Sequence, residues 1–509
     1  MEKNEKIISG GYMQIPILEK TVTEELSGDF TLPDYQPDIK RLLRITAGVL
    51  PPSTYVGNHR AELEGGLDYY VLYMGSDNEV YCAPLSSEYK ITVPVEGEDE
   101  EELLNLTASA SVTADSVSGR VTSPKKLNIK CRLRARTTVL GEMPMGDAFE
   151  NASEEIELLE DTAEVFRCYS GVGERISVSD DMICDSRDGE VRVICAEGNA
   201  LMSEVSATAG GVAYRGDLYL KLLLCRENGG TPYCVTRKLP YSGIVPVEGV
   251  LGGFSALAKA YVCDLSVNVE EGRIATEVGL LVEAQACGRE SVSYVKDLYS
   301  TRRKTDCSYK TVKMPTYAVA TVGNFTLSDS LPLSETGIGQ GEVVVDVSGV
   351  AIPEEYRFEK DRCHVEGRAR FCILTEKEGE IAVSDIELPF RYECITQGET
   401  AQAVCDARVV SARARMDGER IGIDAEIGIS ILARGTVTEK LPDTVGFGEE
   451  LTVNKGDLVI CYPSREDSVW SVAKRYGKPL DSVVAQNRID ATLSPDSTET
   501  LKSLHHLTV

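Results

Sequence analysis

Three stretches decide how this chain is read: GLDYYVLYMGSDNEVYC (66–82), GDLYLKLLLCRENGGTPYC (216–234) and GRARFCILTEKEGEIAVS (367–384). Each opens on glycine, runs through alternating apolar residues and crosses a polar turn. They recur at a near-constant step, 216 − 66 = 150 and 367 − 216 = 151. Other landmarks keep that step. Asp147-Ala148-Phe149 matches Asp297-Leu298-Tyr299, and FTLPDYQPD from Phe30 is echoed by ISVSDDMIC from Ile176 and FTLSDSLPL from Phe325. KKLNIKCRLRARTTV, GRIATEVGLLVEAQA and ERIGIDAEIGISILA close the three units alike. Self-similarity at a fixed period is the signature of a repeat architecture, so the sequence predicts three tandem units.

Within a unit the period is two. TASASVTADSVSGRV and RIGIDAEIGISILARGTV place an apolar side chain at every second position, the pattern of a half-buried strand. ENGGTPY (227–233) reads as a hairpin turn, its glycines free to take positive φ. PDIKRLLRI, after Pro33 and Pro37, and ASEEIELLEDTAEVF carry helical spacing. The second occupies the place of IPILEKTVTEEL and YKTVKMPTYAVATV in the other units and reads as strand. The expected fold is mainly β: three all-β repeats of about seven strands, sandwich or barrel-like, over 1–150, 151–303 and 304–450. A small module over 451–509 follows.

The bulk numbers narrow the function. Fifty-three lysines and arginines against 81 aspartates and glutamates leave a net charge of −28. Such a field repels a polyphosphate backbone, so general nucleic-acid binding is not expected. The acidic run Glu98–Glu102 reads as a solvated loop. The N-terminal residues lack a signal-peptide core, and no apolar stretch reaches bilayer length. Fifteen cysteines, with no C-x-x-C, read as buried thiols of a reducing, cytoplasmic compartment. Four histidines (His59, His364, His505 and His506) offer no metal spacing. No nucleophile elbow, phosphate loop or H-E-x-x-H is present. Gly210-Gly211 and Gly252-Gly253 read as turns. Neither catalysis nor a cofactor is expected, although the many carboxylates leave a hydrolase pair open.

The tail is different in kind. In REDSVWSVAKRYGKPLDSVVAQN (465–487), Val469, Val472, Ala473 and Tyr476 fall at i, i+3, i+4 and i+7, one face of a helix. Asp467 or Ser468 caps it, Gly477 ends it and Pro479 blocks its continuation. Leu480, Val483 and Val484 turn inward from a second helix ending near Asn487. LVICYP (458–463) and LHHLTV (504–509) read as flanking strands, giving strand–helix–helix–strand.

This tail resembles a LysM domain, whose G-D-T-L-W-x-I-A-K-R-Y helix is matched at Asp467, Trp470, Ala473, Tyr476 and Gly477, with Asn487 ending the second helix. Glu466 stands where the family has Gly and Ser468 where it has Thr. The last segment lacks the P-G-Q turn. ILEKTVTEELSGDFTLPDYQPDIKRLL and VKDLYSTRRKTDCSYKTVKM look like SPOCS domains, the all-β repeats of spore-coat morphogenetic proteins of endospore-forming Firmicutes. Three SPOCS units and one LysM form the layout of clostridial members of that group. The resemblance implies a non-enzymatic scaffold in the mother-cell cytoplasm, gathered at the forespore surface and in the spore coat. There its tail would bind the ATPase of the coat basement layer, and its β units would meet other coat proteins or self-associate. The alternative is an ordinary LysM groove that binds peptidoglycan, an N-acetylglucosamine-containing glycan or a lipid-linked precursor.

The candidate contact residues are Arg465, Asp467, Ser468, Trp470, Arg475, Asn487 and Arg488. Trp470 reads either as the module's own core or as a partner contact, and Asp467 and Ser468 as caps or ligands. The three arginines read as a solvated face or as the rim of a contact with an acidic partner.

Overall fold

The computed structural model describes residues 12–57, 59–95, 104–144, 156–183, 191–226, 230–270, 272–396, 402–451, 459–490, 494–501 and 506–509. Its first third runs β1 (Tyr12–Thr31), β2 (Ile39–Val49), β3 (Ser53–Gly57), β4 (Arg60–Gly75), β5 (Val80–Pro94), β6 (Leu104–Ser123) and β7 (Lys126–Pro144). The second runs β8 (Ile156–Val172), β9 (Ile176–Ile183), β10 (Val191–Thr208), β11 (Gly211–Arg226), β12 (Tyr233–Pro246), β13 (Ser255–Glu270) and β14 (Arg273–Ser300). The last runs β15 (Arg303–Pro332), β16 (Val343–Glu359), β17 (Arg362–Lys377), β18 (Glu380–Ile395), β19 (Gln402–Asp417) and β20 (Arg420–Glu450). Every strand pairing among the described residues is antiparallel.

Each third folds as two sheets over one core. In the first, β1-β7-β6 faces a sheet centred on β4, which pairs with β2, β3 and β5. In the second, β10-β11-β12 faces a sheet centred on β14, flanked by β13 and by β8 and β9. In the third, β15-β20-β19 faces β16-β17-β18. Period-two patterning builds these cores: Ile421, Ile423, Ala425, Ile427, Ile429 and Ile431 of β20 are all buried, while Glu426 between them hydrogen-bonds outward to Tyr219. Each such isoleucine contributes about 1.5–3 kcal/mol on burial.

The expected loops fall into place where they are described. Gly210, with φ of +79°, turns β10 into β11. β11 and β12 pair across the ENGGTPY stretch, whose residues 227–229 lie outside the described residues, as do Glu98–Glu102. PDIKRLLRI is a strand, not a helix. Its helix-like spacing has a cause: the register of β2 on β4 slips between Leu42 and Arg44, making Leu43 a bulged residue.

Equivalent slips occur at Ile194, between Val193 and Cys195, and at Val345, between Val344 and Asp346. Positions 43, 194 and 345 are equally spaced, since 194 − 43 = 345 − 194 = 151. A bulge turns its extra side chain out of the sheet's alternation. Here all three turn away from their own cores and meet one another, with Leu72, Leu223 and Leu374, in a cluster that joins the thirds. Beside it lies a buried charge network. Arg44 donates to Asp346 at 2.5 Å and to Glu197 at 3.1 Å, and Lys221 reaches Glu197 at 2.9 Å and Asp346 at 3.2 Å.

The cysteine reading needs one correction. Cys168 and Cys287 stand directly opposite on β8 and β14 and form a disulfide. Lying 119 residues apart, they carry no spacing that a sequence could flag; register alone brings them together. Cys131, Cys195, Cys225, Cys363, Cys394, Cys405 and Cys461 are buried free thiols. No helix among the described residues is long and apolar enough to cross a membrane.

Candidate functional site

The C-terminal segment holds two eight-residue helices, α1 (Val469–Tyr476) and α2 (Leu480–Asn487), between the short paired strands β21 (Ile460–Cys461) and β22 (Leu507–Thr508). Ser468 is the N-cap of α1. Its Oγ accepts from Ser471 N at 3.1 Å, and Ser471 Oγ accepts from Ser468 N at 2.9 Å, a reciprocal capping box. Gly477, at φ 58° and ψ 39°, ends the helix in the left-handed conformation that a side chain resists. Val469, Val472 and Ala473 are buried with Val483 and Leu507, whereas Tyr476 stays outside this core.

Trp470, 4% exposed, faces the body of the chain. Its Nε1 donates to Asp297 Oδ2 at 2.8 Å, and its ring meets Tyr299 edge-on at 4.9 Å. Lys474 Nζ adds a 2.6 Å ion pair to Asp297, and Tyr309 donates its hydroxyl to the same carboxylate at 2.5 Å. Tyr299 donates to the Lys478 carbonyl at 2.7 Å, and Lys296 pairs with Asp496 at 2.7 Å. A bulge between Val295 and Asp297 lets Lys296 and Asp297 both reach the tail. Burial alone would raise the Asp297 carboxyl, but hydrogen bonds from Lys474, Trp470 and Tyr309 outweigh it and hold the group below the usual carboxylate range.

The other expected contact residues divide sharply. Asp467 is buried; it accepts from Ser464 N at 2.8 Å and pairs with Arg475. Ser468 is occupied by its capping role. Asn487 donates to the carbonyls of Val483 at 2.8 Å and Thr508 at 2.7 Å, and accepts from Thr508 N at 2.7 Å, tying α2 to β22. Arg465, Arg475 and Arg488 are exposed, the last in a left-handed C-cap conformation. The structure therefore gathers Asp467 with Arg475 but leaves Trp470 on the side facing the body.

Sequence reasoning missed four residues that matter here. Asp297 and Tyr299 were visible as a repeat landmark, with nothing to link them to a tryptophan 173 residues away. The counterpart Asp147-Ala148-Phe149 lies outside the described residues. The other two are exposed tyrosines, Tyr462 at 78% and Tyr476 at 38%. With Arg465 and Arg475 they give the tail a tyrosine- and arginine-bearing outer surface. Comparison of the chain with models of protein families, with curated proteins and with solved structures finds no match.

Proposed function

We propose that the chain is a non-enzymatic assembly scaffold of the SPOCS and LysM kind, whose tail captures a protein partner. Three tandem copies of one β unit form the body. The shared two-sheet strand order and the bulges at Leu43, Ile194 and Val345 support this reading. The tail is a strand–helix–helix–strand module. In the cytoplasm of a sporulating mother cell its partner would be the ATPase of the spore-coat basement layer, with other coat proteins meeting the β units.

One observation carries the proposal. The body takes up Trp470, leaving Tyr462, Tyr476, Arg465 and Arg475 outward on a module held in place by Asp297 and Tyr299. Tyrosine and arginine are among the side chains enriched where proteins bind one another tightly, and a pre-docked module loses little entropy on binding. The positive charge of Arg465 also suits an acidic partner.

The test uses the full chain and the purified basement-layer ATPase. Binding by the wild type, lost in Tyr462→Glu and in Arg465→Glu while Trp470 emission stays unchanged, is the expected result. Equal binding by all three proteins would move the contact onto the β units. Binding of N-acetylglucosamine oligomers instead of the ATPase would return the tail to glycan or lipid-linked precursor recognition.

A further inference from the structure

A cavity of about 660 Å³ lies where the three thirds meet. Its walls come chiefly from β2, β6, β10, β13, β16 and β19, strands whose other faces fill the separate cores, with side chains added from β4, β7, β11, β12, β17 and β18. Alternation decides what it sees. On β19, Cys405 and Val409 point into their own core while Asp406 and Arg408 line the cavity; on β13, Ala258 is in the core while Lys259 and Tyr261 line it.

The charges are unevenly matched. Eight arginine and lysine side chains line this space with six aspartates and glutamates, and Asp346 and Glu283 stand directly behind the lining, so the mismatch is one of placement rather than of number. Arg134 is paired with Asp115, Arg370 with Glu387, and Arg44 and Lys221 with Glu197 and Asp346. At the other side Arg136, at 2.7 Å, and Lys259, at 3.4 Å, share the single carboxylate of Asp406. Arg408 has no carboxylate partner among the described residues: one of its terminal nitrogens donates to the carbonyls of Ala200 at 3.3 Å and Ala260 at 3.2 Å. Burial depresses the Lys259 ammonium, with the Asp406 charge opposing it, so added negative charge nearby is favourable. Glu283, across the sheet from Lys259, is a second carboxylate on this side; burial raises its carboxyl, against the hydrogen bond from Tyr261 and the charge of Lys259.

We propose that this cavity binds a small organic anion through its carboxylate or phosphate head, with Arg408 as the clamp and Lys259 and Arg136 as the supporting cations. A guanidinium with its carbonyl bonds on one nitrogen keeps further N–H groups for an oxyanion, the geometry that suits carboxylate and phosphate. The volume falls in the usual range for small-molecule sites. The apolar walls, among them Val112, Ile352 and Val410, would cover the body of the ligand. This inference is independent of the tail and its partner.

The experiment is thermal unfolding of the full chain in chloride buffers of equal ionic strength, with added phosphate, pyrophosphate, citrate or, as the neutral control, glycerol. The expected result is a concentration-dependent rise in Tm with at least one anion and none with glycerol. Arg408→Gln should weaken the apparent affinity about tenfold or more. Phosphate and pyrophosphate acting alone would identify a phosphoryl head, and citrate acting alone a carboxylate. No response to any anion beyond chloride, or an unchanged response in Arg408→Gln, overturns the proposal. Should Arg408→Gln fail to fold, Lys259→Met replaces it, read against the same two outcomes by direct calorimetric titration.

Discussion

The indole nitrogen of Trp470 donates to the carboxylate of Asp297 across 2.8 Å, joining the C-terminal helices to β14. Lys474 shares that carboxylate, so one side chain of the body receives two of the tail. Hydrogen bonds to a charged group contribute about 1.5–3 kcal/mol each. Asp297→Ala should therefore release the tail while the β cores stay folded. Trp470 is the only tryptophan, so its emission should move to the red, and limited proteolysis should cut between the body and α1. An emission maximum identical to wild type would show that docking does not depend on this contact.

The same contact has a pH signature. Asp297 titrates below its ordinary value in the folded protein, so its stabilising effect is complete above the unfolded carboxylate pKa, about 3.9. It is lost as pH falls through the lower, folded pKa. Acid titration followed by tryptophan emission should show a red shift below pH of about 3.9 that Asp297→Asn removes.

Within the body, Arg44 and Asp346 are both buried, and their partners Glu197 and Lys221 come from the second third. Removing one member of such a pair strands a charge in low dielectric. Arg44→Leu should cost about 3 kcal/mol, the low end of that range because Lys221 still faces Asp346. Thermal or denaturant unfolding measures it. Lys221 and Arg44 hold Asp346 far below the usual carboxylate range against the effect of burial, so this stabilisation too is lost only on acidification.

Gly477→Ala tests the end of α1. The position has φ of +58°, and an added Cβ would approach Leu451 Cδ1 to 2.4 Å. A loss of about 1–2 kcal/mol is expected from backbone strain, read as early release of the tail in a melting curve followed by Trp470.

The Cys168–Cys287 bond closes β8 onto β14. In oxidised protein, a non-reduced digest should link the peptides holding these two residues, and replacing both by serine should cost about 2–4 kcal/mol. Separate peptides from protein purified without reductant would show the pair held as thiols.

Much of the local structure was legible beforehand. Alternation in RIGIDAEIGISILARGTV marks β20, and both ends of α1 follow from Ser468 and Gly477, because strand patterning and helix caps act within a few residues. The candidate site was legible only in part. Arg465, Arg475 and Arg488 are exposed, as are Tyr462 and Tyr476, and Trp470 is turned to the body.

What the sequence determined by itself is a β chain with a step of about 150 residues, ending in two short capped helices. The tertiary structure alone decided which residues meet. Bulges at Leu43, Ile194 and Val345 reverse the facing of those side chains and bring the thirds together, and register sets Cys168 against Cys287. Docking places Asp297 under Trp470. Period and caps are short-range properties written in neighbouring residues, whereas these contacts join positions more than a hundred residues apart and exist only once the sheets have closed on one another.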